Sequence, residues 1–448
     1  MLVIKLSILF NLYSVLMNIK VKIKSILYSD LNRKIATDSF WILSGNIISK
    51  VALLIATIVM ARYISKEEYG QFGLIKSTIL MFALFAGLEL GITSTKYIAQ
   101  YVGKNNNKVE RVIGLSNLFA ITLSLLISLL VYIFSEEIAK QISAPNLSHE
   151  IKISSFILFF SSLNGIQTGI LNGLQKFKVA SINNLIAGVI SSILLMISSI
   201  YGDLDSIVIA FGLNFVIIFV LNYISIKKYF YSDFKINIFS KNNFQEIDVL
   251  LQFSLPAILA GLIVSPVVWL CNYFLVNQQN GFVEMANFDI ANQWRNTVLF
   301  VPSALAQIVL PLLTSSIGNK EAYSKMFYKN LKINFFVGFS FVIILVILTP
   351  VIVWFYGSKY ENAAFPMIIM FITTGFISVN NVVGQAIASQ GKMWLGLFVN
   401  IAWAIVLLLS AYLLIMKCHL GAIGISLAYL ISYIFHTIVQ FAYIKKFL

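Results

Sequence analysis

The chain has 448 residues, of which 59% are hydrophobic and 11% charged, with a formal net charge of +14. Roughly a quarter of the residues in a soluble domain are charged, so a chain this apolar cannot cover a water-facing surface, and its excess apolar surface must face lipid. The basic excess is spread through the loops without any nucleic-acid motif, which excludes a nucleic-acid partner and leaves a topology signal.

The first seventeen residues are apolar with one lysine and are followed by Lys20, Lys22, Lys24, Arg33 and Lys34. A signal peptide has the opposite order, basic residues first and a small-residue cleavage site last. Residues 1–37 therefore read as a cytoplasmic lead-in, with Met17 a second plausible start. Apolar runs of about twenty residues then recur along the whole chain, each long enough to cross the ~30 Å hydrocarbon layer at 1.5 Å per residue. The expected spans are 39–62, 70–95, 112–134, 151–172, 180–201, 207–228, 249–276, 286–315, 333–356, 363–388, 393–416 and 421–444. The longest connections are 96–111, 135–150, 229–248 and 316–332. Segments of about ten residues with alternating polarity, which a β-barrel needs, do not occur in the sequence. The predicted fold class is an all-α polytopic membrane protein of about twelve transmembrane helices.

With the N-terminus placed in the cytoplasm, 23 Lys and Arg residues fall inside and six outside, the six being Arg62, Lys66, Lys140, Lys152, Lys359 and Lys417. Such a bias places both termini in the cytoplasm and supports an even number of spans. Weak internal repetition points the same way. Lys176–Asn184 matches Lys392–Asn400 at an offset of 216, Ile226-Lys227-Lys228 matches Ile444-Lys445-Lys446 at 218, and Glu68–Phe72 matches Glu284–Phe288 at 216. The expected organisation is a lead-in (1–37), an N-lobe (38–230, spans one to six), a cytoplasmic linker (231–248) and a C-lobe (249–448, spans seven to twelve). Six spans per lobe imply a pseudo-twofold along the membrane normal, with the substrate path between the lobes.

Ionisable side chains inside spans are costly and face a cavity or a partner. Lys50, in the middle of the first span, has Asn46 one turn earlier on the same face. Lys76 and Glu89 lie in the second span, and Asp289 and Arg295 in the eighth, among Asn292, Gln293 and Asn296. Three cations against two carboxylates predict a cationic path with a polar lining, and Glu89 and Asp289 are candidate coupling or charge partners. The structural alternative is that these groups pair with one another, Lys50 with Glu89 or Arg295 with Asp289, and only hold helices together. In the seventh span Pro256 and Pro266 flank Gly261, and Pro302 and Pro311 lie in the eighth; proline bends helices, making span seven a hinge candidate.

The sequence holds no G-x-x-x-x-G-K-[ST] phosphate loop. Its histidines are scattered, and Cys271 and Cys418 have neither metal nor disulfide spacing. Neither a catalytic set, a metal site nor a cofactor is expected, and the chain is not expected to be an enzyme.

The order Asp38-Ser39-Phe40-Trp41 through Gly45-Asn46, then Ala61-Arg62-Tyr63, Glu67-Glu68-Tyr69-Gly70-Gln71-Phe72-Gly73 and Leu88-Glu89-Leu90-Gly91 resembles bacterial polysaccharide flippases. These are the O-antigen and repeat-unit translocases of the multidrug/oligosaccharidyl-lipid/polysaccharide exporter superfamily. The resemblance implies translocation of undecaprenyl-diphosphate-linked oligosaccharide across the bacterial cytoplasmic (inner) membrane, with membrane lipids and polysaccharide polymerase machinery as further partners. It also implies that Lys50, Lys76 and Arg295 line the path by position. Relatives often carry Arg where this chain has Lys, and Lys lacks the bidentate fork that suits phosphate. A multidrug or cation exporter of the same superfamily is the alternative; it needs carboxylates to dominate the first lobe's cavity, where Glu89 stands alone.

Overall fold

The structure, a computed structural model, describes residues 30–87, 90–249, 255–300 and 318–447 apart from 391, with 302, 303, 309, 313 and 316 between them. The described residues fold into helices joined by short turns. They are α1 (Asp30–Tyr63), α2 (Lys66–Gly87), α3 (Leu90–Tyr101), α4 (Asn106–Ile133), α5 (Ser135–Gln141), α6 (Ser148–Ser154), α7 (Phe156–Gly173), α8 (Phe177–Tyr201) and α9 (Leu204–Tyr229). After the 230–254 connection come α10 (Leu255–Val276), α11 (Gly281–Val298), α12 (Lys320–Tyr356), α13 (Ala364–Ser389), α14 (Met393–Ala411) and α15 (Gly421–Phe447). Side-chain caps start several of them: Asn105 accepts from the Lys108 amide, Asp203 from Ser206 and Asn319 from Ala322, at 3.1, 3.0 and 3.0 Å. Each cap satisfies a backbone N–H that has no partner within its own helix.

Among the described residues, ten helical stretches are long and apolar enough to cross a membrane, and a shorter apolar helix, Ile263–Val276, lies within α10. The chain is a multi-pass α-helical membrane protein. Aliphatic residues such as Leu125, Leu129 and Ile133 on α4, and Ile343, Ile347 and Val351 on α12, face outward and exposed, as a lipid-facing surface requires. The remaining expected span, 286–315, meets α11, which begins at Gly281 and is too polar to count as an apolar crossing. Three other expectations shift. α12 begins at Lys320 instead of 333, because its first turns are amphipathic and continue the helix beyond the apolar run. The expected loop 135–150 contains α5 and the start of α6. Residues 30–37, assigned to the lead-in, are helical and continuous with the first span. Pro266 sits inside α10; Pro311 and Glu89 lie outside the described residues.

Packing divides by position in the chain. Helix α1 packs on α8, α8 on α9, and α7 on α3, α4 and α9; after residue 255, α12 packs on α13, α13 on α15, and α14 on α15 and α10. Contacts between the two groups run through α2 against α10 and α11, with α1 against α11 and α12. The apolar clusters follow this division at one end only. One cluster joins Met60, Tyr69 and Phe72 to Phe288, Tyr356 and Tyr360 across both groups. A second contains only residues between Leu90 and Phe234, and a third only residues between Val309 and Ile444.

The shared cluster lies at the end of the bundle carrying the 62–70, 134–150 and 356–360 turns. There the Arg62 guanidinium donates to the Phe355 and Trp354 carbonyls at 2.6 and 3.2 Å, and Lys359 donates to the Ile64 carbonyl at 2.6 Å. Ser143 hydrogen-bonds Asn277 across the same seam. A Cβ at Gly70 would lie 1.9 Å from the Phe282 carbonyl oxygen, so glycine is what lets α2 and α11 meet backbone to backbone.

At the opposite end a turn recurs. Lys176 precedes α8 with φ −88° and ψ 44°, and Lys392 precedes α14 with φ −88° and ψ 49°. In both turns the lysine amide donates five residues back, to Leu171 and Ile387, and the ammonium lies over a tyrosine ring, Tyr229 at 4.9 Å and Tyr443 at 5.5 Å.

Candidate substrate cavity

A cavity of about 340 Å³ opens where the two helix groups meet, between α1, α2, α9, α10 and α11. It lies on the inner side of the shared apolar cluster, and its charged lining residues are Lys50, Lys76 and Asp289. Lys76 extends from α2 to α11, where its ammonium bonds both Asp289 carboxylate oxygens at 2.9 and 2.8 Å. The carboxylate is nearly buried, at 6% exposure, and the lysine is 21% exposed. Gly73, a turn before Lys76, lies beside this pair: a Cβ there would meet the Asp289 side chain at an ordinary contact distance of 3.4 Å. Lys76 thus takes the carboxylate that the structural alternative gave to Arg295.

Lys50 is half-buried on the wall. Its ammonium lies 5.9 Å from the Phe300 ring centroid, and it forms no salt bridge with a described carboxylate. A half-buried cation on a cavity wall, without a described counter-ion, favours an anionic ligand. Asn292, Gln293 and Asn296 line the same cavity from α11. Gln293 donates to Thr57 Oγ1 at 2.8 Å, a second polar tie between the groups.

Two expected residues lie elsewhere. The Arg295 guanidinium sits 4.8 Å over the Tyr429 ring of α15, inside the second helix group. It reaches the cavity only through Asn296, whose Oδ1 accepts from Nη2 at 3.1 Å. Asn46 lines a second cavity and accepts from Asn184 at 2.9 Å. Glu89 is outside the described residues.

Thr57, Trp269 and Asn272 are among the lining residues not expected from the sequence. Thr57 lies two turns after Lys50 on the same face of α1. Trp269, on α10, donates its indole N–H to Thr78 at 3.0 Å, and Asn272 follows one turn later. Spacing i, i+7 from Lys50 and i, i+3 between Trp269 and Asn272 is the signal that would have found them.

Membrane-crossing helices in two packed groups thus frame a charged, amide-lined cavity at their seam. The chain belongs to the polysaccharide biosynthesis protein family, which matches residues 35–317. Among characterised proteins it is 26% identical over 192 residues to the EPS I polysaccharide export inner membrane protein EpsE of Ralstonia nicotianae, and 25% identical to that of Ralstonia solanacearum. Each match covers 42% of this chain and 44% of the relative, so the chain spans less than half the length of the curated relatives it matches. In fold it is similar to the lipid II flippase MurJ in an inward closed conformation, with a TM-score of 0.74 at 17% identity over 90% of this chain and 87% of that one. It is also similar to an inward-facing multidrug resistance MATE family transporter of the MOP superfamily, with a TM-score of 0.70 at 16% identity over 90% and 97%. An outward-facing transporter of that family gives 0.63 at 18% identity over 93% and 96%.

Proposed function

We propose that this chain is a flippase that carries an oligosaccharide linked to undecaprenyl diphosphate across the bacterial inner membrane. It would work by alternating access between two six-helix lobes, residues 38–230 and 249–448, joined by the 231–248 linker, with both termini cytoplasmic. The observation that carries this reading is the seam cavity, where Lys50 offers a cation with no salt-bridge partner among the described residues and Lys76 offers one held by a single carboxylate. The matching turns at Lys176 and Lys392 and the division of the packing at residue 255 support two related lobes.

The geometry suggests how cargo and conformation are coupled. A diphosphate cannot cross the bilayer core unshielded. In the cavity it would first meet Lys50 and the α11 amides, and then compete with Asp289 for Lys76. Asp289 and Lys76 stand on opposite sides of the seam, so taking Lys76 from Asp289 removes an ion pair that holds the outer end shut. Arg295 holds Asn296 in place from behind. The lipid tail would stay in the bilayer while the headgroup enters the cavity. Polysaccharide polymerase machinery would take the delivered oligosaccharide on the far side.

The exporter alternative calls for carboxylates that attract a cationic drug. Asp289, the carboxylate of this cavity among the described residues, is already neutralised by Lys76, and no observation favours that reading. The deciding experiment reads leaflet-resolved flipping of an undecaprenyl-diphosphate oligosaccharide in vesicles holding the purified protein. Flipping that falls at least tenfold in Lys50→Gln is the expected result. Wild-type protein that leaves this lipid in its original leaflet but moves cationic dyes would overturn the proposal.

A further inference from the structure

The larger of the two cavities, about 750 Å³, lies wholly within the first helix group, between α1, α2, α3, α7, α8 and α9. We infer that it is a compartment for the uncharged sugar residues of the cargo, distinct from the cationic cavity that takes the diphosphate. The inference rests on the flippase reading and adds to it where, and what kind of, glycan is held.

The lining chemistry differs sharply between the two cavities. Around the larger one stand Asn46, Asn164, Asn172, Asn184, Ser161 and Thr168, and its described lining includes no ionisable side chain. Amides and hydroxyls both donate and accept, which is what sugar hydroxyls require, whereas a carboxylate only accepts and an ammonium only donates. Asn164 is 8% exposed; its amide donates to the Phe215 carbonyl at 2.8 Å, while its Oδ1 is buried without a protein donor. Phe177 and Phe215 give apolar faces on which the C–H face of a sugar ring can rest.

Backbone geometry keeps the space open. α3 and α7 touch through glycine, since a Cβ at Gly169 would lie 2.2 Å from the Gly91 carbonyl oxygen. At Gly165, on the cavity wall, an added Cβ would meet nothing within 4 Å. The volume lies within the ~300–1,000 Å³ range of small-molecule sites, suited to a short oligosaccharide.

The two compartments are also adjacent. On α1, Asn46 lines the sugar cavity and Lys50 the cationic one; on α2, Leu84 and Leu80; on α9, Phe215 and Phe211. Each pair is four residues apart, about 6 Å along its helix. Three helices therefore place neutral and cationic cavities one turn from each other, matching a molecule whose sugars adjoin a diphosphate. An acidic sugar would be desolvated in the larger cavity, whose described lining holds no cation to meet it.

The test measures binding of three probes to the full-length protein in lipid nanodiscs. They are undecaprenyl diphosphate, the same lipid bearing a neutral N-acetylglucosamine–galactose disaccharide, and the same lipid bearing a disaccharide that ends in glucuronate. The neutral disaccharide should tighten binding at least tenfold over the bare lipid, and the acidic one should not. Gly165→Leu, which fills the cavity, and Asn172→Leu should each erase that gain while the bare lipid binds within twofold of wild type. Lys50→Gln should weaken all three probes alike. Should Gly165→Leu fold poorly in a thermal melt, Asn172→Leu, on a half-exposed residue, carries the comparison. A gain that survives in a folded variant, or no gain in wild type, overturns the sugar compartment while leaving the flippase reading in place. Failure of wild type to bind even the bare lipid would instead remove the flippase reading and this inference with it.

Discussion

Among single residues, the Lys76–Asp289 pair governs the cavity. Removing one member of a buried pair leaves the other charge uncompensated, at a cost of about 3–5 kcal/mol. Asp289→Ala should therefore lower the stability of the purified protein by about that much, and Lys76→Ala/Asp289→Ala together by clearly less than the sum of the single changes. Thermal unfolding of the four proteins in one detergent gives the coupling directly, and additive losses would show that the contact does not hold the fold. Arg295 makes a different prediction. It stacks on Tyr429 and orients Asn296, so Arg295→Ala should stop flipping with the folded protein retained, and Arg295→Lys should keep part of it. A freely flipping Ala variant would exclude Arg295 from the path. The sequence marked these positions because ions inside apolar runs are rare, and that rule needs no structure. It could not reveal who pairs with whom: Lys76 and Asp289 are 213 residues apart, and they meet where Gly70 lets α2 lie against α11. Arg295 shares a short polar segment with Asn292 and Asn296, yet its side chain turns to α15, a choice set by tertiary packing.

At the level of helices, hydropathy located the apolar stretches and missed where helices continue past them. The first three turns of α12 are lysine-rich and amphipathic, and α11 carries more of the cavity's polar lining than any other helix, so neither looks like a lipid-facing run. Helix ends follow local rules and can be tested. Asp203 accepts from both the Ser206 amide and hydroxyl, at 3.0 and 2.7 Å, and these bonds hold its carboxyl below the usual carboxylate range. A group whose folded pKa is depressed contributes fully above its unfolded value, near 4, and loses that contribution as pH falls through the folded value. The gap in melting temperature between wild type and Asp203→Ala should accordingly be constant from about pH 8 to 5 and close at more acidic pH. A gap that widens on acidification would contradict the cap. Gly70→Val tests the close contact of α2 and α11: with a Cβ position 1.9 Å from the Phe282 carbonyl oxygen, it should force the seam apart and raise thiol labelling of a cysteine placed at Thr57. Unchanged labelling would mean that the helices absorb the side chain elsewhere.

For the molecule as a whole, one apolar cluster of the described residues joins the two helix groups at one end, and separate clusters form away from it. A cysteine pair at Ser143 and Asn277, in a background with Cys418→Ser, should accept a short thiol-reactive cross-linker, and the linked protein should cease to flip lipid. Full activity after complete linking would show that this end does not part during transport. The twelve-span expectation came from counting apolar runs and the two-lobe expectation from three short repeats; neither could say which end of the bundle is closed, because that depends on long-range burial.

The continuous apolar cluster from Met60 to Tyr360 has one more consequence, a kinetic one. Opening that end exposes buried aromatic surface to water, whereas among the described residues no apolar cluster joins the two groups at the other end. In the flippase proposed above, an empty carrier would therefore relax to the form that faces the cytoplasm. Its return stroke would run on thermal motion, and the slow step of that cycle would be the one that waits for a passenger.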